Sequence, residues 1–347
     1  MRARTVRLGA RLRGEPQPPV ILMYHRIASP SVDPWGLAVG PDLFRAQMAM
    51  VHERFSPVSM EELVHGLAHG KLPPRAVAVT FDDGYADNAR VAAPALKAAG
   101  VPATVFLTTG AIGRDSLFWW DELADWVLEG RRAADFRIEL EAGNGPPMVL
   151  AGRWDEQAGT DPRLATWRAG VTAPPTARAA AFLDLWARLQ ALLPEPRARA
   201  MALLRAEIGE DLPGVQDLGR LPMTCAEATG LARFGVSLGG HTRDHTPLPA
   251  LPPHERDVQI GGSLADLRAL GLYRPGNTGF AYPHGERDAP AVEHVRLAGY
   301  AWAVTTQCHA IPVKGCDPMA LPRLAVDNWS PATLERRITG LPVAPAA

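Results

Sequence analysis

The sequence predicts an α/β protein, a single distorted (β/α) barrel interrupted by a largely helical insertion. Three observations lead there. Short apolar runs recur without polar alternation, as strands buried on both faces of a parallel sheet require. Stretches of helical period separate them. Several of the runs break off directly into Asp, His, Pro and Gly, at the strand ends where the active sites of such barrels sit. About seven strand–helix units favour closure over an open sheet.

Val20-Ile-Leu-Met-Tyr24 is the first such run. Phe44, Met48 and Val51 recur at helical spacing within Pro41 to Phe55, and Ser59-Met-Glu-Glu62 supplies a capping box for a helix reaching His69. Ala76 to Phe81 is a second buried strand, and Asp87 to Ala99 reads as a helix stopped at Gly100. Ala103 to Leu107 follows as a strand. The rhythm returns after residue 222. Thr224-Cys-Ala-Glu227 caps a helix to Arg233, Val236 to Leu238 is a strand, and a helix covers about Leu251 to Leu270. Gly279 to Tyr282, Ala301 to Thr305 and Leu321 to Val326 are the last strands, with a helix over Ala289 to Ala298. Between the halves, residues from about 113 to 222 are rich in Ala, Arg, Pro and Trp and read as the insertion, helical over Ala177 to Leu193. The expected division is a flexible tail over 1–18, the barrel over 19–335 and a C-terminal tail over 336–347.

A net charge of -1 removes any global field toward nucleic acid or anionic lipid, and the 21% charged and 47% hydrophobic fractions suit a globular enzyme. The first 19 residues hold five arginines without an apolar core, and no later run approaches the ~20 apolar residues of a membrane span. That composition points to a cytoplasmic protein with no membrane span and no nucleic-acid partner, and leaves the oligomeric state open. Cys225, Cys308 and Cys316 lack the spacing of a disulfide framework or a zinc ribbon.

Chemistry concentrates at three strand ends. In Thr80-Phe-Asp-Asp-Gly-Tyr85 two adjacent carboxylates would raise one another's pKa unless a cation offsets them. Successive strand side chains point in opposite directions, so Asp82 and Asp83 should do different work. In Gly239-Gly-His-Thr-Arg-Asp-His245, histidines at i and i+4 lie on one face of a helical turn and can grip one ion. Two imidazoles and one carboxylate leave an open position, the mark of a catalytic site. Phe280-Ala-Tyr-Pro-His-Gly285 is an apolar strand end breaking into a turn whose N–H groups can face a cavity. Trp119-Trp120-Asp121 is a candidate aromatic wall for a sugar ring.

Together and in this order, the three segments resemble the NodB-homology polysaccharide deacetylases, carbohydrate esterase family four. Thr80-Phe-Asp-Asp-Gly84 matches the family's first motif, His241-Thr-Arg-Asp-His245 its second, and Phe280 to Gly285 is a variant of its third. The likeness extends to Val101 through Gly110 and Ala298-Gly-Tyr300. It implies that Asp83, His241 and His245 bind one divalent ion, zinc first, with cobalt, nickel or manganese as alternatives. It implies Asp82 as catalytic base, and Tyr282, Pro283 and His284 as the oxyanion and substrate-binding turn. The implied reaction removes N-acetyl groups, with O-acetyl groups second, from an acetylated amino sugar, poly- or oligosaccharide or glycoconjugate.

The sequence departs from the pattern twice. The family's arginine beside the third-motif Phe is Ala281 here, so Arg323, at the end of the last expected strand, is the candidate to orient the base. The family's late histidine is missing, while Met23-Tyr-His25-Arg26 ends the first strand. This resembles the branch that includes poly-N-acetylglucosamine deacetylases, where an early histidine serves, and it makes His25 the candidate general acid. First and last strands are neighbours in a barrel, so the swap is geometrically sensible. Two competing readings stand: a hydrolase of a non-sugar amide or cyclic imide on the same fold, and a catalytically inactive glycan-binding barrel.

Overall fold

The computed structural model describes residues 17–130, 132–140, 147–155, 161–209, 218–249 and 251–345. The expected N-terminal tail lies almost wholly outside them. The barrel strands are β1 (Val20–Tyr24), β2 (Ser56–Pro57), β3 (Ala76–Phe81) and β4 (Ala103–Leu107). They continue, after an antiparallel pair β5 (Ala134–Leu140) and β6 (Met148–Trp154), with β7 (Val236–Gly240), β8 (Gly279–Ala281), β9 (Trp302–Val304) and β10 (Leu324–Ala325). The helices are α1 (Pro41–Arg54), α2 (Met60–His69), α3 (Ala93–Ala99), α4 (Trp119–Ala124), α5 (Ala177–Gln190), α6 (Pro194–Ile208), α7 (Cys225–Gly230), α8 (Pro253–Ala269), α9 (Ala289–Ala298) and α10 (Pro331–Gly340). No helix among the described residues is long and apolar enough to cross a membrane.

The strands form one curled parallel sheet in the order β10-β1-β3-β4-β7-β8-β9, with β2 beside β3. Residues 321–325 join its two edges: Leu321 bridges to Val304 of β9, and Leu324 pairs with Leu22 of β1. The (β/α) barrel is therefore real but distorted, closed by a short segment rather than a full strand.

Strand parity divides the core. Val77, Val79 and Phe81 pack outward with Leu22, Tyr24, Phe44 and Val51, under the helices. Ile21, Ala78, Phe106, Ala281, Trp302 and Val304 fill the inside. Trp302 meets Phe106 edge-on at 5.7 Å, and this large pair explains two small neighbours. A Cβ on Gly239 would lie 2.6 Å from the Phe106 ring, and one on Gly279 2.3 Å from Trp302. The parity carries Thr80 and then Asp82 to the inner side of the strand end.

Both expected capping boxes form, Ser59 with Glu62 and Thr224 with Glu227. The insertion is largely helical, as expected, but not wholly so. It contains α4, α5 and α6 but also the β5–β6 hairpin, and it has its own buried cluster of Leu123, Phe136, Trp154, Phe182, Leu185 and Leu204. Residues 336–340, expected in a C-terminal tail, are helical in α10, where Leu334 and Ile338 are buried. Beyond it Val343 bridges to Ala310.

Candidate active site

Asp82 prolongs β3, its N–H bonded to the Tyr24 carbonyl at 3.0 Å. Its carboxylate receives both guanidinium arms of Arg323, Nη1 to Oδ1 and Nη2 to Oδ2, each at 2.7 Å. Arg323 is fully buried and fixed by further bonds from Nε to the Thr305 carbonyl and from Nη1 to Thr80 Oγ1. Burial pushes the Asp82 carboxyl up, but the charge and hydrogen bonds of Arg323, with His241, hold it at about 2. Asp82 is thus a carboxylate in the interior of the barrel.

Asp83 turns the other way. Its φ of 72° is left-handed, as is the 84° of Gly84, where a Cβ would meet Leu107 Cδ2 at 2.7 Å. Asp83 Oδ1 is buried without any hydrogen-bond partner, 3.5 Å from His241 Nε2 and 3.4 Å from His245 Nε2. Desolvation, then the charges of Asp82 and Asp121, raise the Asp83 carboxyl well above the ordinary range. A buried carboxylate in that condition calls for a cation.

His241 donates from Nδ1 to the Ala281 carbonyl at 2.7 Å, which leaves Nε2 with its lone pair toward Asp83. Ligand atoms of Asp83, His241 and His245 all lie within 4.8 Å of one another. Two donors on a tetrahedral ion with bonds of ~2.0–2.1 Å are roughly 3.3 Å apart, close to both Asp83–histidine distances, so the donor set fits a zinc-like ion. The histidines do not converge on a helical turn, as their i, i+4 spacing suggested. They sit in a loop where Thr242 and His245 have φ of 61° and 52°. Gln259 anchors that loop by accepting from the N–H groups of Arg243 and Asp244.

Of the five non-glycine residues with left-handed φ among the described residues, four belong here: Asp83, Thr242, His245 and His284. Each such residue costs on the order of 1–3 kcal/mol and persists where the surrounding fold imposes it, which is typical of functional sites.

His25 and His284 line the same cavity of about 250 Å³ as Asp82 and the trio. Burial lowers His25 to about 4, with Asp82 opposing that shift, so its imidazole is neutral. The His284 ring stands edge-on to His245 at 4.6 Å. Within its turn, the Gly285 and Glu286 N–H groups bond to the Tyr282 and Pro283 carbonyls. Pro283 has no N–H, so the expectation of donors around Pro283–His284 reduces to the N–H of His284. Gly285 is required at φ 74°, since a Cβ would sit 2.0 Å from Thr306 Oγ1.

Tyr282 corrects the sequence reading. Its ring lies in the core and its hydroxyl donates to the Met319 carbonyl, so the side chain does not face the cavity.

Four tryptophans wall the cavity: Trp35, Trp119, Trp120 and Trp186. Trp120 packs 4.8 Å from His245, held by Nε1 donating to the Tyr85 hydroxyl, which donates to Asp121. Trp186 comes from α5 and lies 4.4 Å from Trp35 with the rings tilted at 43°, so the insertion roofs the site. The indole N–H groups of Trp35 and Trp119 are buried without partners. Sequence reasoning flagged Trp119 and Trp120 but missed Trp35 and Trp186, which no motif surrounds. A larger cavity of about 780 Å³ lies in the insertion beside Arg153 and Arg178. Its buried Arg178 guanidinium bonds to the carbonyls of Val127, Gly130, Arg132 and Asp155, a structural task.

Residues 69–134 match the family model for polysaccharide deacetylase. YxkH of Bacillus subtilis (strain 168), which carries the polysaccharide deacetylase name, is 37% identical over 127 residues. Over these residues the chain is similar to the polysaccharide deacetylases. That alignment takes in 36% of this chain and 44% of YxkH, so it spans less than half of that relative. Among solved structures, the Streptococcus pyogenes deacetylase PplD, determined with acetate, superposes with a TM-score of 0.54 at 19% identity. The superposition covers 93% of this chain and 99% of PplD. IcaB from Ammonifex degensii gives 0.51 at 19% identity, covering 93% of this chain and 97% of IcaB. These two likenesses show that the fold is shared over 93% of the chain.

Proposed function

We propose that the protein removes the N-acetyl group from an acetylated amino sugar of a poly- or oligosaccharide or glycoconjugate, with one divalent ion at Asp83, His241 and His245. The observation that carries this reading is the pairing of two unlike carboxylates. Asp83 has an unpartnered oxygen between two imidazole nitrogens, while its neighbour Asp82 is held ionised by Arg323. The polysaccharide deacetylase family match supports the sugar as substrate.

When bound, the ion supplies Lewis acidity toward an amide carbonyl and toward water. Zinc suits one carboxylate and two imidazoles, with cobalt, nickel or manganese as alternatives. Asp82 accepts the proton of the attacking water. Arg323 lowers the basicity of that carboxylate but fixes its plane and keeps it ionised. His25, neutral at rest, takes up the proton that Asp82 removes from the water and passes it to the leaving nitrogen as the C–N bond breaks, giving acetate and a free amine. The His284 N–H faces the acetyl oxygen, and the tryptophan walls hold the sugar and exclude bulk water.

The test is acetate release from N-acetylglucosamine oligomers by metal-loaded protein. Wild type should turn over, and Asp82→Asn should keep its ion while losing at least ~10² in kcat. A loaded protein that leaves every acetylated amino sugar intact but opens a cyclic imide overturns the reading.

A further inference from the structure

Trp119 and Trp120 also form one wall of a second cavity, of about 490 Å³. Its other sides come from the start of α6 and from the loop that carries the metal-ligand histidines, represented by Asp244. Three arginines line it: Arg114, Arg197 and Arg205. The acids there are already engaged. Glu122 pairs with Arg205, Glu195 with Arg199, and Asp244 with Arg114 and the Gln259 amide.

Arg197 is different. It is 4% exposed, lies 5.2 Å over the Trp119 ring, and donates from Nη2 to the Asp244 carbonyl at 2.8 Å. Its Nη1 has no hydrogen-bond partner, and among the described residues no carboxylate forms an ion pair with it. A desolvated guanidinium without a direct ion pair is costly, and burial lowers its pKa to about 10, with the charge of Asp244 partly opposing that shift. The first turn of α6 adds positive potential of its own, since its N-cap, Leu193, offers no capping side chain. Trp119 and Trp120 line both this cavity and the one that holds Asp82 and the trio, so the two adjoin across these rings.

We propose that this cavity is an anion subsite, in which Arg197, with Arg114 at the rim, binds a carboxylate or phosphate group on the sugar or linkage next to the one that loses its acetyl group. The inference rests on the deacetylase reading and narrows its substrate to an acidic glycan or a phosphorylated glycoconjugate. Charge-assisted bonds to a preorganised guanidinium are the stronger kind, and Arg suits both anions.

The experiment has a binding arm and a kinetic arm. Metal-free protein is titrated calorimetrically with inorganic phosphate and, separately, with glucuronate; the tighter probe separates a phosphate source from a carboxylate source. Wild type should bind at least one, and Arg197→Gln should weaken it by about tenfold or more. Rim variant Arg114→Gln, at an exposed position, covers the case in which Arg197→Gln fails to fold, and should weaken the same probe. In the kinetic arm, a neutral N-acetylglucosamine dimer is compared with dimers carrying a phosphate or a uronate. Wild type should prefer one anionic dimer through a lower KM, and the preference ratio should fall to about one in Arg197→Gln. No probe binding by wild type, or equal kcat/KM for neutral and anionic dimers, overturns the subsite. Failure to release acetate from any dimer, with probe binding intact, counts against the deacetylase reading alone.

Discussion

Replacing Arg323 with methionine removes a guanidinium that is fully buried and makes four hydrogen bonds: two to Asp82, one to Thr80 and one to the Thr305 carbonyl. The shape is roughly kept, so the main loss is electrostatic. Asp82, 2% exposed, is left as an uncompensated carboxylate. Breaking one side of a buried pair typically costs about 3–5 kcal/mol, a large share of the ~5–15 kcal/mol that stabilises a domain. Asp82→Asn should cost a similar amount, because it strands the guanidinium instead. In the double variant neither charge remains, so its loss should fall short of the sum of the singles by about 2–3 kcal/mol. Denaturant unfolding of chelated protein measures all four forms without metal linkage. Additive losses would refute the coupled pair, and with it the assignment of Arg323 as the residue that orients Asp82.

Metal content should drop sharply in Asp83→Ala, His241→Ala and His245→Ala; full occupancy after His241→Ala, read by elemental analysis, overturns the ligand set. His25→Ala should damage amide hydrolysis far more than hydrolysis of a nitrophenyl acetate, whose leaving group needs no proton, and equal damage to both removes His25 as general acid. Burial, partly opposed by Arg220, raises Asp125 from 3.8 to about 6. The unfolded chain therefore releases this proton first, and stability should fall as pH rises from about 4 to about 6. Asp125→Asn should flatten that stretch of the stability–pH curve, and an unchanged slope refutes the shift.

The barrel was legible because its strands are continuous apolar runs and its helices carry their own start signals. Asp82, Asp83, His241 and His245 were legible because each follows such a run within a few residues. Arg323 could be named because it stands at the end of the last strand, where an arginine can replace the one missing at Ala281. Tyr282 was misread for a reason of parity: Ala281 faces the inside of the barrel, and its neighbour must face the helices. The β5 strand carried a readable signal, since Ala134, Phe136, Ile138 and Leu140 alternate with Asp135, Arg137 and Glu139. Trp35, Trp186 and Arg197 carried none. What brings them to the site is the docking of the insertion on the loop after β1, a tertiary event that no local pattern encodes.

That docking separates two inheritances within one chain. The sheet ends hold the groups that would break the amide, whereas residues between Gly113 and Pro222 bring Trp119, Trp186 and Arg197 to decide what reaches them. Under the proposed function, exchanging that segment for a relative's would retune which glycan enters while leaving the bond-breaking apparatus where it is. Diversification of diet, so to speak, needs no new chemistry here, only a new roof.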